Sequence, residues 1–340
     1  MALGVYLAVS ARLLVNLESL NMAESVGNVA KHRKAPVVFE AEGGSYRLVY
    51  VPVVSGMSLA HHYQKLLARA AKSAGLNVSA MSLEGYFLKY ASDDIIKSYY
   101  PEVSGRVGKD KSPCENERVI VEADVVADVG GFLYTDGVVK RTSRFSFSYM
   151  MPALEALKAT GVYPQLHVRY TPNPKEEGEQ ALIYVDNASA LYTLTYILEA
   201  SEVSVLNVCR ALGEEPDDLG AEERLKRVKA SVEALVAMLG NMAFGAKRSR
   251  SLPQWRIQSL VAVASRGIAP FTPTPGHYAS YIEDTVKRLE AQRRAIEGLE
   301  AEVHYYDGEG IGAVEGATRH ETPESAILAA AQWVLENLKP

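Results

Sequence analysis

The sequence predicts an α+β protein with a ferredoxin-like βαββαβ core enlarged by insertions. Three observations carry that prediction. A strand pattern opens the chain: Val5, Leu7, Val9, Ala11, Leu13 and Val15 share one face, and Tyr6, Ser10, Arg12 and Asn16 share the other. Two amphipathic helical patterns follow at wide spacing, one from Gly56 and one over Ala221–Ala243. Strand patterns lie between them and another begins at Trp255, giving the order strand, helix, strands, helix, strand.

The first strand alternates as a strand with one packed and one polar face does. It runs into a polar stretch, Leu17 to Asn28, closed by Lys31-His32-Arg33-Lys34-Ala35-Pro36. Amides, hydroxyls and three permanent cations behind a face carrying Arg12 and Asn16 suit a sugar-phosphate polyanion. The plain alternative is a solvated surface loop. Glu18 and Glu24 read as partners of the nearby basic groups. Short strands at Pro36–Phe39 and Tyr46–Val54 flank a Gly43-Gly44 turn.

Ser55-Gly56-Met57-Ser58 opens the first helix. Leu59, His62, Tyr63, Leu66, Leu67, Ala70 and Ala71 form its buried face, so His62 reads as a core residue. His61 falls on a basic stripe with Lys65, Arg69 and Lys72. Ser55 or Ser58 can cap, and a capped helix start favours an anion. Residues 75–118 read as an insertion without clear period, and Arg106–Pro113 as a mobile loop. Val119–Tyr134 reads as strand, with Asp136-Gly137 turning into Val138–Lys140.

In Arg141–Tyr149 the aromatics Phe145, Phe147 and Tyr149 share a face, opposite Arg144, Ser146 and Ser148. Exposed, they could stack bases; buried, they are core, the reading favoured by the apolar Met150–Leu154 that follows. Gln165–Tyr170 and Ala181–Asp186 bracket a Pro/Glu/Gly-rich tip and suggest a protruding hairpin, with His167 and Arg169 on one side. Asp186-Asn187-Ala188-Ser189 then precedes the apolar run Leu191–Leu198.

The helix Ala221–Ala243 ends at Phe244-Gly245, where glycine suits a left-handed cap. Lys247, Arg248 and Arg250 follow at once, more cations than helix capping needs. Trp255–Val263 alternates as a strand. Two helices finish the chain, Tyr278–Gly298 and Pro323–Leu338, the second behind Thr322 with Pro323 at its first position. Gly308–Gly316 is glycine-rich, but no helix starts directly behind it, which discounts a phosphate loop.

At 340 residues with 48% hydrophobic and 23% charged content, the chain has the make-up of a globular protein with a sizeable core. The net charge of −5 argues against a globally basic nucleic-acid binder. It leaves room for a local basic groove, because charges are screened beyond about 8 Å. Cys114 and Cys209, far apart in sequence, build neither a disulfide framework nor a cysteine zinc site, so reduced thiols and a cytoplasmic location are expected. The start of the chain lacks a basic signal region, and no apolar run reaches spanning length. No Walker lysine motif, nucleophile elbow, His-Glu-x-x-His or paired cysteine ligands occur, so neither catalysis nor a cofactor or metal is expected.

Several separated motifs resemble those of the CRISPR-associated backbone subunit of archaeal type I-A Cascade, the DevR-like autoregulator family. They are Ser10-Ala11-Arg12 with Asn16, Glu18-Ser19-Leu20-Asn21, Glu24-Ser25-Val26-Gly27-Asn28 and His32-Arg33-Lys34-Ala35-Pro36. Further on come Ser55-Gly56 with His61-His62-Tyr63-Gln64, Arg141-Thr142-Ser143-Arg144, Asn187-Ala188-Ser189-Ala190 and Phe244-Gly245-Ala246-Lys247-Arg248-Ser249-Arg250. The match runs from about Val5 to Arg266, and the C-terminal helices carry no matching motif.

The resemblance implies a modified RNA-recognition-motif palm with helical insertions and a thumb-like hairpin. The layout expected is one elaborated domain over 1–340, with the insertion at about 75–118, the hairpin at about 160–186 and C-terminal helices at about 277–340. It also implies a non-catalytic subunit that binds CRISPR RNA, oligomerises head to tail with copies of itself, and meets other Cascade subunits but no membrane. Residue reading and resemblance together nominate as RNA contacts Arg12, Asn16, Asn21, Ser25, Asn28, Lys31, His32, Arg33, Lys34, Ser55, Gly56, His61, Arg141, Arg144, His167, Arg169, Lys247, Arg248 and Arg250. Related type III subunits cut RNA with an aspartate in the first loop, and no Asp lies between Asn16 and Lys34. Two other classes stay open: a metal-independent endoribonuclease using His61 or His167 as base, and a DNA-binding regulator, for which no helix-turn-helix pattern is seen.

Overall fold

In the computed structural model, which describes residues 3–41, 43–170 and 180–339, the chain opens with strand β1 (Gly4–Glu18). The polar stretch behind it is not a plain loop. It folds into a hairpin, β2 (Met22–Val26) and β3 (Val29–His32), turning at Gly27 with φ +59°. A second hairpin, β4 (Lys34–Ala41) and β5 (Ser45–Pro52), turns at Gly43-Gly44 as the glycine pair predicts. α1 (Gly56–Ser73) begins behind Ser55, whose hydroxyl accepts from Ser58 N at 3.3 Å.

The insertion is more regular than its sequence suggests. It holds α2 (Ala80–Glu84), α3 (Asp93–Tyr99) and the start of α4 (Pro113–Ala123), each capped by a serine: Ser79, Ser92 and Ser112. The loop Arg106–Pro113 is tethered by Asn116, which accepts from Gly108 N (3.0 Å) and donates to Gly108 O (2.9 Å). The strand expected over Val119–Tyr134 is mostly helix: α4 is followed by α5 (Val125–Gly130), and only β6 (Phe132–Tyr134) is extended. The caps decide this. Ser112 and Pro113 start one helix, Asp124 accepts from Val126 N at 2.9 Å to start the next, and burial overrides the strand preference of the valine-rich run.

β6 pairs with β7 (Val139–Arg141) across the Asp136-Gly137 turn, and β8 (Phe145–Phe147) and β9 (Met151–Pro152) follow. β10 (Gly161–Tyr170) and β11 (Gln180–Glu199) form the expected hairpin; its Thr171–Glu179 tip lies outside the described residues. Then come α6 (Asn207–Leu212), α7 (Ala221–Gly240), β12 (Gln254–Gly267), α8 (Tyr281–Ala295), β13 (Glu300–Asp307), β14 (Thr318–His320) and α9 (Pro323–Asn337). α7 stops at Gly240, so Gly245 is not its cap. β13 and β14 are additions to the two helices that the sequence places here.

β1 pairs antiparallel with β11 on one side and β12 on the other, and β8 and β9 pair antiparallel with β11 beyond. This order, β12-β1-β11-β8, is that of a ferredoxin-like sheet. β13 and β14 extend it past β12, so β12 is internal rather than the edge strand it would be in a plain ferredoxin-like sheet. α1 and α7 pack on one face with α9 beside them, over Leu7, Val9, Ala11 and Leu13 of β1. Phe145 and Phe147 set their rings edge-on to Tyr63 at 4.6 and 5.6 Å, which supports the core reading of both; Tyr149 is 48% exposed. Tyr63 Oη lies 2.8 Å from Tyr196 Oη and 3.1 Å from Ser231 O, so the buried hydroxyls are satisfied.

The opposite face is covered as well. Phe271, Tyr281, Ile282 and Leu289 pack with Val303 and Tyr305 of β13 against Val261 and Val263. β1 is therefore buried on both faces, and its even-numbered residues Tyr6, Ser10 and Arg12 do not face solvent as the alternation suggested. The C-terminal part of the chain, which carries no recognisable motif, supplies that cover.

Two further features tie the insertion to α6 and β7. Cys114 and Cys209 are joined in a disulfide, correcting the expectation of reduced thiols. A sequence separation of 95 says nothing of distance in space, and packing of α4 on α6 brings the two Cα atoms to 4.5 Å. Beside it lies a buried charge cluster. Asp128 is held by Arg141 and, at 2.8 Å, by Arg227; Glu117 binds Arg141 at 3.0 Å and accepts from Asn207 N and Val208 N. Burial pushes the Asp128 carboxyl up, but the two guanidiniums outweigh it and hold it below the usual carboxylate range.

Candidate nucleic-acid interface

The end of β1 is irregular. Pairing with β11 shifts between Val15 and Glu18, and Leu17 takes a φ of +56°, which turns Asn16 and Leu17 out to solvent. Leu17 N donates to Ser189 Oγ at 3.0 Å. The chain then dives inward at Glu18, Ser19 and Leu20, all fully buried, before the β2–β3 hairpin emerges.

Leu20 and Asn21 are where distant segments meet. Ala246 N donates to Leu20 O at 2.7 Å. Gly245, at φ +89°, lies so close to Leu20 that a Cβ there would sit 2.5 Å from Leu20 Cδ2. Asn21 O accepts from Arg33 N at 2.7 Å, and Asn21 Oδ1 accepts from Ser55 N at 2.9 Å, at the start of α1. Asn187 Oδ1, at the base of the β10–β11 hairpin, accepts from Ser19 Oγ (3.1 Å) and Ser251 Oγ (3.2 Å). Four segments thus converge: the β1–β4 stretch, the α1 start, the hairpin base and the residues after Gly245.

Cations gather on this junction. Lys31, Lys34, Lys247 and Arg250 are exposed, and Arg33 and Arg248 are half-buried. The Nε atoms of Arg33 and Arg248 are buried with no hydrogen-bond partner among the described residues, while another nitrogen of Arg248 donates to Asn241 O at 3.4 Å. Arg248 also acts on His62. Burial lowers the His62 pKa, the Ser58 carbonyl partly opposes this, and the Lys65 and Arg248 charges push it down further, so the ring stays neutral near pH 7. His62 is half-buried with Nδ1 2.8 Å from Ser58 O, on the rim of the junction rather than deep in the core. His61 is exposed, and its pKa is lowered by burial and by its His62 and Lys65 neighbours. The first turn of α1 carries no acidic residue.

The nineteen candidate residues thus divide. Asn16, Ser25, Asn28, Lys31, Lys34, His61, His167, Lys247 and Arg250 are exposed, and Arg33 and Arg248 are partly so. Asn21 and Ser55 are bracing residues: one is bonded to the start of α1, the other caps it. Gly56 is fixed by packing, since a Cβ there would lie 2.7 Å from Phe147 O. Arg12, 2% exposed, is bound by Glu155 (2.5 Å), Glu309 (2.9 Å) and Gly276 O (3.0 Å). His32 is buried against Glu18 at 2.7 Å. Arg141 belongs to the charge cluster and Arg144 reaches Asn207, both buried away from this junction. The Arg169 side chain lies outside the described residues. The candidates omitted Asn187, Ser189 and Ser251, which brace the junction; the Asn187-Ala188-Ser189-Ala190 motif was the available signal. Glu18 does partner a basic group, as its position suggested.

Fold and junction together define a ferredoxin-like palm protein with a cationic junction at the base of a long hairpin. In comparison with known proteins, a family model described as CRISPR-associated negative auto-regulator DevR/Csa2 matches residues 9–286. The chain is 39% identical over 327 residues to the CRISPR-associated aCascade subunit Cas7/Csa2 2 of Saccharolobus solfataricus, covering 94% of this chain and 97% of that protein. It is 33% identical to Cas7/Csa2 1 of the same organism, covering 92% and 95%. A chain of a solved CRISPR RNA-guided surveillance complex in a pre-nicking state superposes with a TM-score of 0.51 at 10% identity, covering 97% of this chain and 99% of that one, a likeness of fold. The chain belongs to the DevR/Csa2 family. Among the described residues, no helix is long and apolar enough to cross a membrane.

Proposed function

We propose that this chain is a crRNA-binding backbone subunit of a Cascade-type complex, a non-catalytic scaffold that grips the sugar-phosphate backbone of single-stranded CRISPR RNA and assembles with copies of itself and other subunits. One observation carries the reading: the segments Leu17–Lys34 and Gly245–Ser251, remote in sequence, are hydrogen-bonded together at Leu20 and bring Lys31, Arg33, Lys34, Lys247, Arg248 and Arg250 onto one junction. Cations with small amides and hydroxyls bind phosphate and sugar without reading bases. The names of the Saccharolobus relatives point the same way.

The test is fluorescence anisotropy with two single-stranded RNAs of unrelated sequence, alongside incubation of labelled CRISPR RNA with and without magnesium. Comparable affinity for both RNAs and intact RNA are expected. Affinity confined to one sequence, or cleavage abolished by His61→Ala or His167→Ala, would replace the scaffold reading with the regulator or the endoribonuclease.

A further inference from the structure

His32 sits between Lys31 and Arg33 in sequence, yet its ring is sealed inside the protein. Both ring nitrogens face acceptors. Nδ1 lies 2.9 Å from Arg33 O, and Nε2 lies 2.7 Å from a Glu18 carboxylate oxygen. A neutral imidazole has one N–H and can satisfy only one of them; an imidazolium satisfies both. Glu18 also accepts two further hydrogen bonds. Tyr192 Oη donates to it at 2.6 Å and Leu20 N at 2.7 Å. The carbonyl of Arg33 also accepts from Val53 N at 3.0 Å, and His32 N donates to Asp186 Oδ2 at 3.2 Å.

We propose that the Glu18–His32 pair is a protonation-dependent latch, holding Arg33 and Lys34 in the conformation that receives the RNA backbone. This inference rests on the RNA-binding reading of the junction. The latch joins the end of β1 to the β3–β4 corner. Glu18 at one end orients Leu20, which receives the Ala246 segment; His32 at the other orients the Arg33 carbonyl. Opening it frees the corner that carries the cations without removing any of them. Glu18 and His32 are positioning residues, acting on the RNA through Leu20 and Arg33.

The charged and titratable groups around the ring are Glu18 from β1, Tyr192 and Asp186 from β11, and Lys31 and Arg33 on either side in sequence. Burial works against the imidazolium charge. The Glu18 hydrogen bond and charge, the Arg33 carbonyl and Asp186 outweigh it, so His32 titrates above the ordinary histidine range. Tyr192 is pushed far above its ordinary value and stays neutral. Because the folded pKa lies above the unfolded value of about 6.5, the latch contributes fully below that pH and is lost as pH rises through the folded value. His61 and His62 are displaced downward, so their titration falls on the acid side and does not mimic this loss.

Two measurements test the latch. Nitrogen-15 NMR of the His32 ring in the RNA-free protein reads its protonation directly, and amide shifts of Arg33 and Lys34 should follow the same titration. Anisotropy with a single-stranded RNA from about pH 6 to 9.5 should show wild-type affinity falling about five- to tenfold, the scale of a typical site-to-site coupling. In Glu18→Gln the midpoint should move to lower pH, and in His32→Gln affinity should be weaker but flat across that range. A His32 ring that is neutral at pH 7, or wild type and His32→Gln sharing one pH profile, overturns the latch. If no RNA binds at any pH, the RNA reading fails, while the ring and amide titrations still decide whether the latch exists.

Discussion

Arg12 separates a structural cation from a binding one. Its place in the first strand invites an RNA contact, but the fold encloses it between two carboxylates and a carbonyl. Replacing it with Met keeps the apolar stem that packs against Gly276 and removes the guanidinium. Breaking a buried ion pair costs about 3–5 kcal/mol. Here the loss is smaller, because the Glu155 and Glu309 side chains remain 34% and 18% exposed, and each keeps one donor, Ala279 N and Ser259 Oγ respectively. About 2–3 kcal/mol is expected after water recovers part of the charge. An unfolding entropy of about 2.1 cal/mol/K per residue gives roughly 0.7 kcal/mol per kelvin for this chain, so Tm should fall about 3–4 °C. Adding Glu155→Gln and Glu309→Gln to Arg12→Met should restore part of that. Scanning calorimetry measures the first effect and RNA anisotropy the second, where affinity should stay within about twofold of wild type because an exposed phosphate cannot reach the site. Lost RNA affinity with an unchanged Tm would mean that Arg12 touches RNA and that the enclosure described here is wrong.

Gly245→Ala should lower both Tm and RNA affinity, since a Cβ would strike Leu20 at 2.5 Å in a backbone conformation costing about 1–3 kcal/mol. Gly161→Ala, with open space around its Cβ, is the control, and equal behaviour of the two would discredit the Leu20 junction. Cys209→Ser should lower Tm by about 6 °C, because a cross-link over 95 residues removes about 4–5 kcal/mol of unfolded-state entropy. An identical melting curve for the variant and the unreduced wild type would argue that the cysteines are not bonded.

Parts of this fold are written locally. The helical period over Leu59–Ala71 and over Leu225–Leu239 marks α1 and α7 because each helix buries one stripe against the sheet. The Gly43-Gly44 turn is marked because both residues take a positive φ, and Gly137 is needed because a Cβ there would strike the Tyr134 ring. Other parts depend on partners that no local pattern reveals. Alternation in β1 distinguishes its two faces but not what covers the second, and that cover comes from α8 and β13. The glycine-rich 308–312 segment has no helix directly behind it to make a phosphate loop, yet its N–H groups do bind an anion. It is the chain's own Asp307, which accepts from Glu309, Gly310, Ile311 and Gly312. The cation clusters at Lys31–Lys34 and Lys247–Arg250 were visible in sequence. Which of their members remain free, and that His32 among them turns inward, depends on Glu18 and Tyr192 meeting in space.

In the function proposed, two remote basic segments form one backbone-binding surface. The salt dependence of single-stranded RNA binding tests it most directly, in the wild type and in the variant Arg33→Ala/Lys34→Ala/Lys247→Ala/Arg248→Ala, with Tm as the control for folding. Each phosphate neutralised contributes about −0.7 to the log–log slope, so losing these contacts should weaken binding and flatten the slope by about 2 to 3. Tm should fall by no more than about 3 °C, because Lys34 and Lys247 are exposed and Arg33 and Arg248 partly so, and such charges usually contribute within about 0.5 kcal/mol each. Wild-type affinity and slope in a variant with normal Tm would contradict the account.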